Sequence, residues 1–270
     1  MLCEMDTKGA LADAIGAPPF TFAAAQPLAD EPNLWGLAVN TEDALYEYVR
    51  LYVKIPLLTK LGVLSKTLEF VADAAPGVRE VLMVGKVCYE VREQHFDLVI
   101  VDAESSGHVV SQIASPRVIT SLVQFGMLRD QTQWMIDILS APSTTGVVVV
   151  TTPEESPVDE SIDLVTKLRS EARVDVAALV VNRMPDVFGT DADRARMETL
   201  AATDERWMMP STLAQAAVTR RTMAVGQVSR LQDSIESPPP VVVAPLLPVD
   251  SELSIARQMA NHLAEELGAS

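Results

Sequence analysis

Cysteine is nearly missing from this chain: Cys3 and Cys88 are the only two in 270 residues, and no Cys-x-x-Cys pair occurs. Two separate thiols make neither a disulfide framework nor a structural zinc site within one chain, and a reduced, cytoplasmic setting is expected. Long apolar runs are missing too. The longest, around Leu98 to Val101 and Val147 to Val150, fall far short of the roughly 18 residues a membrane-spanning helix needs, and no signal peptide opens the chain, so at most peripheral membrane association is expected. Basic residues are the third shortage. Lys and Arg number 21 against 37 Asp and Glu, for a net charge of -16. Such a surface repels phosphodiester backbones, and nucleic acid is not an expected partner. A nucleotide is not excluded, because a phosphate site needs only local backbone N–H groups, one or two cations and a metal ion.

What is present is an apolar share of 48%, enough for one large α/β domain or for a core carrying a helical insertion. Four short apolar runs, at 96–101, 146–151, 176–181 and 241–246, are rich in Val and Ile without alternation. That pattern predicts strands of a parallel sheet covered on both faces. Residues 34–39 and the stub 1–5 are two more candidates. Helical patterns lie between them. Ser156-Pro157 supplies a cap and a proline for a helix whose apolar face is Val158, Ile162, Val165 and Leu168, and Ile255, Met259, Leu263 and Leu267 make another stripe. The alternation predicts a doubly wound, mostly parallel α/β sheet.

Two stretches break it. Residues 41–92 and 115–142 read as helix after helix, with Leu45, Tyr48, Val49 and Tyr52 on one face. Ile119, Leu122, Val123 and Met127 form a second face, opened by Ser115-Pro116. They predict a helical subdomain inserted into a core of 1–40, 93–114 and 143–270; helices that merely cover the sheet fit the pattern equally well. A third helical stretch, 191–236, carries Trp207-Met208-Met209 and the basic pair Arg220-Arg221.

The segment richest in chemistry is Phe96-Asp97-Leu98-Val99-Ile100-Val101-Asp102, an apolar strand ending in an acid, followed by Glu104-Ser105-Ser106-Gly107-His108. Ligands gather at such strand ends, where an acid can hold Mg²⁺ through water and a glycine amide can meet a terminal phosphate. An acid that only caps the next helix gives the same string. Asp6 follows the stub 1–5 and would lie at another strand end, where a carboxylate can orient a water. Asn182, after Val180-Val181, suits an amide that donates to and accepts from a base edge, although a turn Asn before Pro185 is also common. Pro245 and Leu246 end the last strand in an apolar loop able to sandwich a base.

The order Asp6-x-x-x-x-Leu11-x-Asp13, Val101-Asp102 with Gly107-His108, Pro153-Glu154 with Pro157-Val158, then Asn182-Arg183 and a late Pro-rich strand end resembles the arsenite-transporting and tail-anchored-protein-targeting ATPases. The resemblance implies a P-loop NTPase type of fold with an inserted helical subdomain, with ATP and Mg²⁺ as cofactors. By the same resemblance Asp6 acts on the attacking water and Asp102 is the metal-side acid. Gly107 and His108 belong to the second nucleotide-sensing switch, while Asn182 contacts the base, beside the Pro245–Leu246 loop read above. It also implies a dimer, either a homodimer or a heterodimer with a related ATPase, and a groove for a hydrophobic client. Leu57, Leu58, Leu61, Val63, Leu64, Leu122, Phe125 and Met127 are candidates for its lining.

Three departures stand against that pattern. Glu104-Ser105-Ser106 replaces the family's Ala-Pro-Thr before the Gly-His pair, and the zinc Cys pair of some members is absent. No Gly-x-x-Gly-x-Gly-Lys-Ser/Thr string occurs anywhere. That loop supplies the phosphate-cradling amides, a Lys and an Mg²⁺ hydroxyl, and without it little hydrolysis is expected. Its loss also removes a central strand and bares two apolar edges, so a truncated reading frame is the expected explanation and a catalytically dead partner of a complete ATPase the alternative. Arsenite transport is disfavoured, since Cys88 is the only suitably placed thiol.

Overall fold

A computed structural model describes residues 1–5, 9–28, 31–48, 77–122, 127–248, 252–266 and 268. These form two compact units, one of Met1–Gly146 with Lys167–Asp175 and one of Val147–Thr166 with Val176–Ser270. Each has its own sheet.

In the first unit β1 (Leu2–Met5), β2 (Gln26–Leu28), β3 (Glu31–Val39) and β4 (Ile100–Asp102) form a sheet in the order β2-β3-β1-β4. β1 pairs in parallel with β3 on one side and β4 on the other, while β2 is an antiparallel edge that the sequence did not signal. Successive side chains of a strand face opposite ways, and β1 uses both faces. Met1, Cys3 and Met5 pack with Leu37, Val39 and Met83. Leu2 meets the cluster of Ala12, Phe20, Leu28 and Ala38, where the short helix α1 (Ala10–Ala14) also packs.

The described residues of this unit also form the helices α2 (Thr41–Tyr48), α3 (Val78–Arg92), α4 (Ser106–Leu122) and α5 (Met127–Ser140). α3 packs against α2, α4 and α5. Val84, Cys88 and Met135 form the centre of the α3–α5 contact. A Cβ on Gly85 would stand 2.8 Å from the Met135 Cε, so glycine permits the close approach. Charge is also buried here. Lys86, its side chain 8% exposed, lies 3.0 Å from Glu47 and 3.2 Å from Glu90, whose other oxygen is 2.7 Å from the His95 ring.

The helix expected to open at Ser115-Pro116 does not begin there. α4 runs straight through Pro116 from Ser106, so the boundary drawn between 114 and 115 falls inside a helix. A proline interior to a helix leaves the carbonyl four residues back without its partner. That carbonyl belongs to Gln112, and the Ser115 hydroxyl donates to it at 2.7 Å. The pair therefore continues the helix instead of starting it.

The second unit holds β5 (Val147–Thr151), β6 (Val176–Met184) and β7 (Val241–Pro245), all parallel, in the order β5-β6-β7. Around them lie α6 (Glu155–Lys167), α7 (Asp191–Ala201), the 27-residue α8 (Met208–Ser234) and α9 (Glu252–Glu266). α6 buries Val158 and Val165 as expected, but it begins at Glu155, ahead of the predicted Ser156 cap. Pro157 is still in the first turn, where backbone N–H groups have no helical acceptor. α7 has a capping box between Thr190 and Asp193. α8 buries Ser211, Ala214, Ala224 and Leu231 along one face.

The parallel strands, flanking helices and helical subdomain agree with the doubly wound α/β class. Strand edges differ sharply within each sheet. β2 contains Pro27 and a register shift, and β7 ends in Pro245, both common ways of blunting an edge. β4 and β5 are not blunted. Ile100 is 52% exposed, Val148 53% and Val150 61%, with neither proline nor a basic side chain in either strand.

Candidate functional site

β1 and β4 run side by side, with Glu4 as the register partner of Asp102. Both side chains lie on the face that carries Leu2 and Ile100, because parallel partners in register point the same way. Asp102 is the last residue of β4 and is exposed, whereas Glu4 is 3% exposed. A Glu4 oxygen accepts the Leu11 N–H at 3.0 Å, which ties the first turn of α1 to the end of β1. Partial burial pushes the Asp102 carboxyl above its ordinary range, and the Glu4 carboxylate adds to the effect by like-charge repulsion.

Beyond Asp102 the chain crosses Ala103–Ser105 and enters α4. The Ser105 carbonyl accepts from the His108 N–H at 2.8 Å and from the Val109 N–H at 3.1 Å. Ser106 and Gly107 thus lie between the first acceptor and the first helical N–H donor, and their own N–H groups are the orphan donors of a helix start. Gly107 and His108 are both exposed, and a Cβ on Gly107 would meet nothing within 4 Å. An acid at a strand tip, followed by an open helix start, is an arrangement that receives phosphate and cation together.

Asp102 also fits Mg²⁺ by donor chemistry. That ion keeps most of its water and takes one or two protein carboxylates instead of a full protein cage. Among the described residues no group of three or more His, Cys, Asp or Glu side chains could hold a metal.

The remaining predicted residues fall in two places. Asp6 lies outside the described residues, as do Leu57, Leu58, Leu61, Val63, Leu64 and Phe125 and the side chains of Leu122 and Met127. In the second unit Asn182 is not the end of its strand, because β6 continues to Met184. The β6–β7 register shifts between Val181 and Met184, and Arg183 there has φ 60. The Asn182 side-chain oxygen accepts the Arg183 N–H at 2.8 Å and stabilises this irregularity. Pro245 pairs with Met184, and the Leu246 N–H donates to the Met184 carbonyl at 2.8 Å. Asn182, Pro245 and Leu246 therefore gather at the carboxyl ends of β6 and β7. Arg221 also belongs here, donating to the Pro185 carbonyl at 2.5 Å.

Glu4 is the site residue that sequence reasoning missed. Its signal was a lone charge in the apolar stub Met1-Leu2-Cys3-Glu4-Met5, in a strand otherwise fit for burial.

Residues 5–135, just under half of the chain, match the model of the anion-transporting ATPase family. The segment includes Asp6, Asp102, Gly107 and His108. The chain is 22% identical over 191 residues to the ATPase BagA of Mycobacterium tuberculosis, and equally so to a Mycobacterium bovis protein whose name marks it as a suspected ATPase. Those alignments cover 68% of this chain and 56% of each relative, so the matched part spans little more than half the length of either. The comparisons support a general ATPase relationship at low identity.

Proposed function

We propose that this chain is part of an ATPase of the arsenite-pump and tail-anchor-targeting type, in which ATP binding and hydrolysis close a groove around a hydrophobic client. One observation carries the reading: Asp102 stands at the tip of a parallel strand directly before an exposed helix start at Gly107 and His108, inside the segment that matches the family. In this reading Asp102 holds Mg²⁺ through water and the α4 start receives phosphate oxygens. The metal ion supplies neutralisation of charge on the phosphates. By the resemblance, Asp6 orients water.

Client transport of arsenite is disfavoured. Arsenite is taken by accessible thiolates, whereas Cys88 is 1% exposed and burial pushes its thiol up to about 12.

Among the described residues no strand pairs with the outer edges of β4 and β5, which supports a second reading, in which the phosphate-cradling strand and loop come from a complete sibling ATPase with which this chain pairs. Both readings require a loop that these residues lack. Calorimetry of MgATP binding to the chain, alone and joined to whatever its reading frame encodes upstream, separates them. Binding that appears only in the longer form supports the first reading. Co-purification with a sibling ATPase, with no binding in either form, supports the second. Binding by the chain alone that survives Asp102→Asn would refute the assigned site.

A further inference from the structure

Of its 27 residues α8 buries only Ser211, Ala214, Ala224 and Leu231, and the side away from Ala214 is open and largely apolar. Met209, Leu213, Ala216, Arg220 and Met223 recur there at alternating spacings of four and three, so they form one ridge along the helix. Met209 is 67% exposed, Leu213 62% and Met223 65%. The hydroxyls beside the ridge are already engaged: Thr212 and Thr219 donate to the Met208 and Gln215 carbonyls at 2.9 and 3.0 Å. Covering the ridge would strand neither donor. Its charge is equally particular. From Arg206 to Gln232 there is no Asp or Glu, in a chain of net charge -16. Arg206 pairs with Asp204, Arg230 with Asp159, and Arg221 donates to the Pro185 carbonyl. Among the described residues Arg220, on the ridge itself, makes no ion pair or side-chain hydrogen bond.

We infer that this ridge is the docking surface for an amphipathic helix of another protein, one with an apolar seam and an acidic side chain opposite Arg220. Spacings of four and three fit a second helix laid alongside, whose side chains enter the gaps between those of α8. Ala216, the smallest side chain on the ridge, leaves room for the largest of them. Charge decides what kind of helix fits. Arg220 is the only ion on the ridge, and a partner that covered it without an acid would leave a desolvated charge unanswered. A second copy brings an equally acid-free ridge with its own Arg220, and an anionic membrane is repelled by the rest of the chain. The inference does not rest on the ATPase reading and involves no nucleotide.

The test is fluorescence anisotropy of two labelled synthetic helices added to the whole chain at about 0.15 M salt, where charges more than about 8 Å apart are largely screened. Both peptides carry leucine along the seam; one has glutamate at the flanking positions and the other lysine. The net charge of -16 alone favours the lysine peptide. Tighter binding of the glutamate peptide, by roughly three- to tenfold, is therefore the expected result. Arg220→Glu should reverse the order of the two peptides. Met209→Gln, Leu213→Gln and Met223→Gln together should weaken the glutamate peptide by roughly tenfold or more. Circular dichroism should show the fold kept, since all three side chains are exposed and glutamine is close to them in helix propensity. No binding of either peptide, tighter binding of the lysine peptide to the native chain, or a glutamate-peptide affinity that either variant leaves unchanged would overturn the inference. So would binding to vesicles containing phosphatidylserine that the triple variant abolishes, which would assign the ridge to a membrane.

Discussion

Replacing Val148 and Val150 together with lysine tests whether the β5 edge is free in this chain. These side chains are 53% and 61% exposed, so folding removes less than half of each from water. Full burial of a valine is worth about 1.5–3 kcal/mol, which leaves roughly 1 kcal/mol at stake per residue. A lysine recovers part of that by laying its aliphatic stem along the strand. The double variant should therefore lose only about 1 kcal/mol in total. With a urea m-value of about 2 kcal/mol/M, the unfolding midpoint followed by circular dichroism moves by roughly 0.5 M. Val149, which is 3% exposed, is the contrast: Val149→Lys buries a charge and should cost several kcal/mol. Self-association should respond in the opposite sense. An uncharged valine edge is a template for strand pairing between chains, so the apparent molar mass from light scattering should rise with concentration for the native chain and stay constant for the double variant. A loss of more than about 3 kcal/mol in the double variant would mean that the edge is covered, and would refute the reasoning.

Three further outcomes follow from the charges and thiols. Lys86→Ala should cost about 1–3 kcal/mol, because it takes the cation from Glu47 and leaves Glu90 with His95 alone. Burial alone would lower the Lys86 ammonium, but the hydrogen bonds and charges of Glu47 and Glu90 outweigh it and raise the group above 10.5. Its contribution is then complete below pH 10.5 and is lost as pH rises through the higher folded value, a decline in urea midpoint that Lys86→Met should abolish. Asp102→Asn should stabilise the fold at pH 7. A carboxyl raised in the folded state is a penalty while ionised, so the gain should fade as pH falls through the folded value and vanish below the unfolded 3.8. Finally, Cys3 and Cys88 are both buried, with thiols pushed up to about 12, and neither should react with a disulfide reagent at pH 8 until the chain unfolds.

Strands with unbroken β-branched character were legible in the sequence. β5 and β7 fall within a residue of their expected bounds, because runs of β-branched residues favour strand, but the expected cover on both faces fails for β5, where Val148 and Val150 are more than half exposed. Where a side chain substitutes for backbone, the pattern misleads. Pro116 reads as a helix start, and only the Ser115 hydroxyl, invisible to periodicity, makes it an interior residue. Asn182 reads as a strand end for a similar reason, since its side chain stabilises an irregularity that lets β6 continue. Within the site, Asp102 was visible because an apolar run ends on it. Glu4 was hidden because its role depends on a partner almost a hundred positions away in sequence, a relation that register alone supplies.

The unbroken course of α4 matters for how a signal leaves the strand tip. Seventeen residues at 1.5 Å each make a rod of about 26 Å, with Gly107 at one end and Leu122 at the other. With the Ser115 hydroxyl satisfying the Gln112 carbonyl, the helix continues across Pro116 and joins the strand tip to Leu122 as one element.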